Sequence, residues 1–149
     1  MAGNFELACR QLGEAGPPLI FLHGLAGSGR YWDRRVAPLA TEFRLYLLDL
    51  LGFGQSPWPE VTYDVSTHVA AIRATVERLG LDEAPLLVGH SLGAILAAEY
   101  AAQFTSEVRG LMLFNLPCYR DADEARELIK QQGGLPALTV TNRRLAALT

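Results

Sequence analysis

The pentapeptide Gly89-His90-Ser91-Leu92-Gly93 constrains this 149-residue chain more than any other stretch. It follows the apolar run Ala84-Pro85-Leu86-Leu87-Val88 and opens an alanine-rich run over residues 94–102. A short buried strand, one tight corner and an immediate helix is the setting in which a G-x-S-x-G pattern carries chemistry. Such a corner strains the serine backbone, so the residues two places to either side need almost no side chain, and Gly89 and Gly93 meet that need. The Ser91 hydroxyl then stands at the start of a helix, where N–H groups and the positive dipole end favour a developing negative charge. The bland alternative is a helix-capping serine in a tightly packed turn. The strand-to-helix context favours a nucleophile elbow.

The rest of the chain alternates in the same rhythm. Residues 4–11 alternate apolar and polar through Phe5, Leu7 and Cys9, as in a half-buried strand. Residues 18–23 form an apolar run suited to a strand covered on both faces. The glycine-rich loop that follows, Gly24 to Gly29, is no phosphate loop: it lacks the required Lys and does not fit G-x-G-x-x-G. Residues 30–40 carry helical spacing through Trp32, Val36, Leu39 and Ala40, with Trp32 a core anchor. A strand over residues 43–48 closes at Asp49, which is expected to pin the Gly/Pro-rich loop 50–59 by side-chain to backbone hydrogen bonds. Residues 64–79 read as a helix stopped by Gly80, and residues 108–116 as a further buried strand. Strands alternating with helices imply right-handed crossovers, giving an α/β fold with a mostly parallel sheet and helices on both faces. From Pro117 the rhythm changes to a charged helix over residues 121–132 and an amphipathic piece over residues 141–148. There is no internal repeat and no low-complexity tract.

Composition narrows the function classes. Half of the residues are hydrophobic and the net charge is −3, which argues against nucleic acid or an anionic membrane as partner. Cys9 and Cys118 are too few for a disulfide framework and are expected to be buried free thiols. No metal-ligand spacing is present, and no cofactor is called for. No signal peptide or membrane-length apolar run is visible, so a cytoplasmic protein is expected.

Three motifs in order, the His23-Gly24-Leu25 turn, the loop from Asp49 to Ser56 and the Gly89–Ala94 stretch, resemble the α/β-hydrolase superfamily. The nearest flavour is the cap-bearing serine esterase and carbon–carbon bond hydrolase group, and the likeness covers its N-terminal portion only. The resemblance implies a three-layer sandwich lacking its C-terminal strands. Residues 1–117 would be the hydrolase core and residues 118–149 the start of a helical cap. It also implies that Ser91 attacks a carbonyl carbon, with the Leu25 and Leu92 backbone N–H groups as oxyanion hole and His23, Gly24, Gly89, His90 and Gly93 in support. Phe53 and Trp58, with Tyr63, are expected as candidates for lining an apolar acyl pocket, although aromatic residues pack before they bind. The substrate would be a small ester or related acyl compound.

The pattern is broken at one place. The superfamily's triad runs Ser, then Asp or Glu, then His along the chain. All three histidines here, His23, His68 and His90, precede Ser91. His23 reads as an orienting or core residue, His68 as a solvent-facing residue at a helix start, and His90 as pointing away from Ser91. Asp121 and Asp123 read as first-turn acids of a helix rather than a catalytic acid. The expected reading is therefore a serine hydrolase recorded as an incomplete chain that lacks its triad acid and histidine. Two others stand beside it: a half-enzyme completed by another chain, and a non-catalytic binding module of the same fold. The unpaired apolar edge over residues 110–115 could carry a dimer.

Overall fold

Three apolar runs meet side by side to make the middle of a five-stranded sheet. The computed structural model describes residues 5–121, 123, 124, 127, 130 and 131. In chain order the elements are β1 (Cys9–Leu12), β2 (Pro18–Leu22), α1 (Arg30–Val36), β3 (Arg44–Leu48), α2 (Val65–Leu79), β4 (Leu86–His90), α3 (Leu92–Gln103) and β5 (Gly110–Phe114). The strand order is β1-β3-β2-β4-β5. β1 runs antiparallel to β3, and the other three pairings are parallel. Leu22 lies opposite Leu48 on one side and Gly89 on the other, so the ends of the three central strands are level.

The strand alternation sorts the core into two layers. Ile20, Leu22, Tyr46, Leu48 and Leu87 face the α2–α3 side, against Val69, Ile72, Leu96, Ala97 and Tyr100. Phe21, Leu45, Leu47 and Val88 face the α1 side, against Trp32 and Val36. Trp32 is thus the anchor expected of it. Covering on both faces is why these strands read as unbroken apolar runs. The expected mostly parallel sheet with helices on both faces is what the chain forms.

Local chemistry sets the ends of the elements. Asp64 caps α2, accepting from the Thr67 N–H at 2.8 Å, and Gly80 ends that helix at φ +57°. The first strand is shorter than expected because side chains capture its early amides. Leu7 N–H donates to Thr75 Oγ1 and Ala8 N–H to Ser56 Oγ, both at 2.8 Å, so strand pairing begins only at Cys9. The expected helix over residues 30–40 stops at Val36 and continues as a 3₁₀ turn, Ala37–Thr41, because Pro38 has no N–H to extend the α ladder.

Three burial expectations are overturned. β5 is not buried: Leu111, Met112 and Phe114 are each close to half exposed, because β5 is an edge that pairs only with β4 among the described residues. His68 is not solvent-facing but only 4% exposed, since its place on α2 turns it inward beside Tyr63. Neither thiol is fully buried: Cys9 is half-buried on the short β1, and Cys118, just past the last strand, is exposed. Partial burial still pushes the Cys9 thiol up to about 11, with the Arg78 charge opposing and the Asp49 charge adding.

The chain divides into two compact units, Met1–Leu116 and Pro117–Thr149. In the second, Asp121 Oδ1 accepts from the Asp123 and Glu124 N–H groups at 3.0 and 2.8 Å, so this acid caps a helix to which residues 123, 124, 127, 130 and 131 belong. The amphipathic piece expected over residues 141–148 lies outside the described residues. No helix among the described residues is long and apolar enough to cross a membrane.

The layer assignment sets unequal costs. Truncating Leu48, fully buried between β1 and β2, to Ala is expected to cost about 2–5 kcal/mol in urea denaturation. Leu111→Ala, on the exposed edge strand, should cost no more than about 0.5 kcal/mol.

Candidate active site

The carboxyl ends of β2, β3 and β4 converge on a short stretch of chain with an uncommon backbone. Ser91, between β4 and α3, sits at φ +53°, ψ −113°, a region that non-glycine residues rarely occupy. The surroundings hold it there. A Cβ at Gly93 would overlap the Leu22 and His23 carbonyl oxygens, and one at Gly89 would lie 2.6 Å from the Ala94 Cα. The start of α3 therefore packs directly on the ends of β2 and β4, as a side chain at either glycine would prevent. Ser91 N–H donates to Phe114 O at 2.9 Å, tying the turn to the end of β5 as well.

The Gly24 loop reaches the same point from β2. A Cβ at Gly24 would lie 2.9 Å from His90 Nδ1 and 3.2 Å from Ser91 Cβ, so the loop backbone abuts the serine. Leu25 follows on the exposed rim, and Leu92 opens α3. Among the described residues neither the Leu25 nor the Leu92 N–H has a hydrogen-bond acceptor. For Leu92 this follows from its first helical position.

His23 lies beneath this loop with no exposed surface. Its Nδ1–H donates to Gly24 O at 2.7 Å, and its Nε2 accepts from the Leu50 N–H at 2.9 Å. A carbonyl can only accept and an amide can only donate, so this is the neutral Nδ1–H tautomer with both nitrogens occupied. Burial lowers its pKa, against the smaller raising effects of the Gly24 hydrogen bond and the Asp49 charge. His23 thus joins the Gly24 and Leu50 backbones, and neither of its nitrogens has a free lone pair.

Asp49 pins the loop that follows it, as expected, and also holds the loop after β2. Its Oδ1 accepts from Gly29 N–H at 2.6 Å and its Oδ2 from Gln55 N–H at 2.8 Å. Gly54, at φ +54°, has no room for a Cβ beside that carboxylate. Phe53 sets its ring edge-on to His23 at 5.5 Å between centroids. Trp58 is 65% exposed and makes no ring contact among the described residues, and the Tyr63 ring lies tilted beside His68, 6.1 Å between centroids. The structure thus sets Phe53 against His23, Tyr63 against Gly52 and His68, and leaves Trp58 largely exposed.

Two residues that the sequence did not single out frame His90. The Tyr31 ring stacks on the imidazole at 5.2 Å and 22°, and Asn115 Nδ2 donates to His90 Nε2 at 3.1 Å. Asn115 stands at φ +50° just past β5. A polar residue at a strand's carboxyl end was the available signal, but the pairing with His90 depends on the β4–β5 register.

His68 is buried on α2. Burial lowers its pKa, with the nearby Asp64 carboxylate opposing and His23 adding, and its Nδ1 has no partner among the described residues. Burial holds both imidazoles below the value near pH 6.5 at which their unfolded counterparts titrate. Below that pH the unfolded chain binds the extra protons, so stability is complete above about pH 6.5 and lost as the pH falls. Chemical denaturation is expected to lose up to about 1.4 kcal/mol per pH unit for each of the two imidazoles below about pH 6.5. His68→Asn should remove one share of that slope.

Comparison with known proteins gives this geometry a context. Residues 17–146 match the alpha/beta hydrolase fold family. An uncharacterized protein of Mycobacterium tuberculosis is 30% identical over 142 residues, covering 87% of this chain and 41% of that protein. Lipase LipV of the same organism is 31% identical over 125 residues, covering 83% of this chain and 47% of the lipase. Among solved structures, the thioesterase domain from the curacin biosynthetic pathway superposes with a TM-score of 0.74 at 30% identity, covering 85% of this chain and 48% of that domain. The chain spans less than half the length of each of these three relatives.

Proposed function

The chain belongs to the α/β-hydrolase fold family, and on that premise we propose that Ser91 is the nucleophile of a hydrolase acting on carboxylic esters or related acyl compounds. The observation that carries the reading is the positive-φ serine pressed between Gly89 and Gly93, near two backbone amides, of Leu25 and Leu92, that have no acceptor among the described residues. Ser91 Oγ forms a bond to the acyl carbon, and the carbonyl oxygen, now an oxyanion, is held by the Leu25 and Leu92 N–H groups. Each such donor is worth roughly 3 kcal/mol in the transition state. The carbon–oxygen bond to the leaving alcohol then breaks, and the alcohol departs with the proton taken from Ser91. Water releases the acid from the acyl-enzyme. Lipase LipV and the curacin thioesterase domain are relatives whose names fit this chemistry.

The proton needs a base, and in this reading none of the three histidines serves. His23 has both nitrogens bonded, His68 is buried at α2, and His90 is held by Tyr31 and Asn115. Beyond Lys130 the sequence carries no Asp, Glu or His. We place the base and its acid in polypeptide outside these 149 residues, whether of a longer chain or of another. The exposed apolar edge of β5 favours a further strand joining the sheet there.

Without its base a serine hydrolase loses on the order of a millionfold in rate. The 149-residue chain should therefore turn over p-nitrophenyl butyrate close to background. A fluorophosphonate probe should label it slowly, at Ser91 alone, and added imidazole should speed that labelling. Ser91→Ala should abolish it. Fast turnover by the chain itself overturns the base assignment, and labelling that survives Ser91→Ala overturns the nucleophile.

A further inference from the structure

A cleft of about 650 Å³ opens between β1, the Ser28–Arg30 turn and the loop that follows Asp49. Its size is that of a small-molecule site. Neither Ser91 nor its neighbours Leu25, His90 and Leu92 contribute to its walls. Two guanidinium groups, Arg10 and Arg30, do. Arg10 spends one N–H on Asp33 Oδ2 at 2.6 Å, and Arg30 is exposed with no ion pair among the described residues. The single acid of the lining is Asp49, and both of its oxygens already accept backbone N–H groups, from Gly29 and Gln55. The two guanidinium groups are the planar, permanently charged kind that grips an oxyanion through paired N–H groups. Leu47, Ala8 and Cys9 supply an apolar wall, and the Cys9 thiol, pushed up to about 11, adds no negative charge at neutral pH.

We propose that this cleft binds a small organic oxyanion, a carboxylate or a phosphate monoester with a short apolar body, between Arg10 and Arg30 and apart from Ser91. The ligand's charged end lies against the two guanidinium groups and its body against Leu47 and Cys9. A second cleft, by the amino end of β4, serves as a contrast. It is lined by Glu77, Asp82, Glu83 and Glu107 and by no arginine, these acids being ion-paired with Arg44, Arg73 and Arg109. Because Asp49 ties Gly29 to Gln55 across the floor of the first cleft, an occupant touches both loops whose other ends, at Gly24 and Phe53, approach Ser91 and His23.

The test is titration of the ¹⁵N-labelled 149-residue chain with sodium butyrate and, separately, inorganic phosphate, against sodium chloride at matched ionic strength. Saturable shifts of the Gly29, Gly54 and Gln55 amides with either probe support the site, and the probe that saturates names the headgroup. Arg30→Gln, an exposed change that leaves the fold intact, should weaken binding at least fivefold. Arg10→Gln should do the same, whereas Ser91→Ala should leave it unchanged. Shifts that do not saturate, that centre on Leu25 and Leu92, or that persist undiminished in Arg30→Gln overturn the proposal. None of these readings depends on whether Ser91 is a nucleophile.

Discussion

The structure depends on a steric exclusion at one corner. Ser91 can hold a positive φ only because α3 starts in direct contact with the β2 and β4 backbones, and that contact exists only because residues 89 and 93 carry no Cβ. Strain of this kind costs on the order of 1–3 kcal/mol and persists where the surroundings over-determine it. Here they do so four times over. β4 feeds the turn, α3 leaves it, the Gly24 loop abuts it, and the Phe114 carbonyl takes the Ser91 N–H. The strained residue thereby stands clear of its neighbours at the sheet's carboxyl edge.

A second constraint is polar. Two loops leave the ends of β2 and β3 beside the corner, and two side chains hold them in fixed relation. His23 links Gly24 to Leu50, and Asp49 links Gly29 to Gln55. Ser56 continues the frame, donating to the Asp49 carbonyl and accepting from the Ala8 N–H. The two His23 bonds are buried, so their loss would leave unsatisfied polar atoms in the interior, whereas those of Asp49 and Ser56 lie nearer the surface. Gly24 and its successor Leu25 are positioned by this frame rather than by packing of their own.

The sheet is asymmetric in a way that matters for association. On the β1 side the edge is short, and Arg10 on it is charged, which blunts pairing. On the β5 side Leu111, Met112, Phe114 and Leu116 present apolar surface. Only the second edge has the character of a surface that expects another strand. Its exposure also accounts for the overturned expectation: an apolar run marks a strand that can be buried, while burial itself depends on what lies alongside.

Much of the design was legible in the residues alone. The apolar runs of β2, β3 and β4, the periodic stripe of α2 with its Asp64 cap and Gly80 stop, and the glycine-flanked serine are local patterns governed by local sterics and by the two- and 3.6-residue repeats. Those determined the mostly parallel sheet, the place of the sharp turn and the pinning role of Asp49. The rest was decided by groups distant in sequence. Thr75 and Ser56 took amides that would have lengthened β1, and packing turned His68 inward. Tyr31 and Asn115 came to His90 from opposite ends of the chain, and the Arg10–Arg30 cleft closed only once β1 lay against β3. Such contacts follow from the register of strands and the path of loops, which no single stretch of sequence encodes, because each is the joint outcome of every pairing in the sheet.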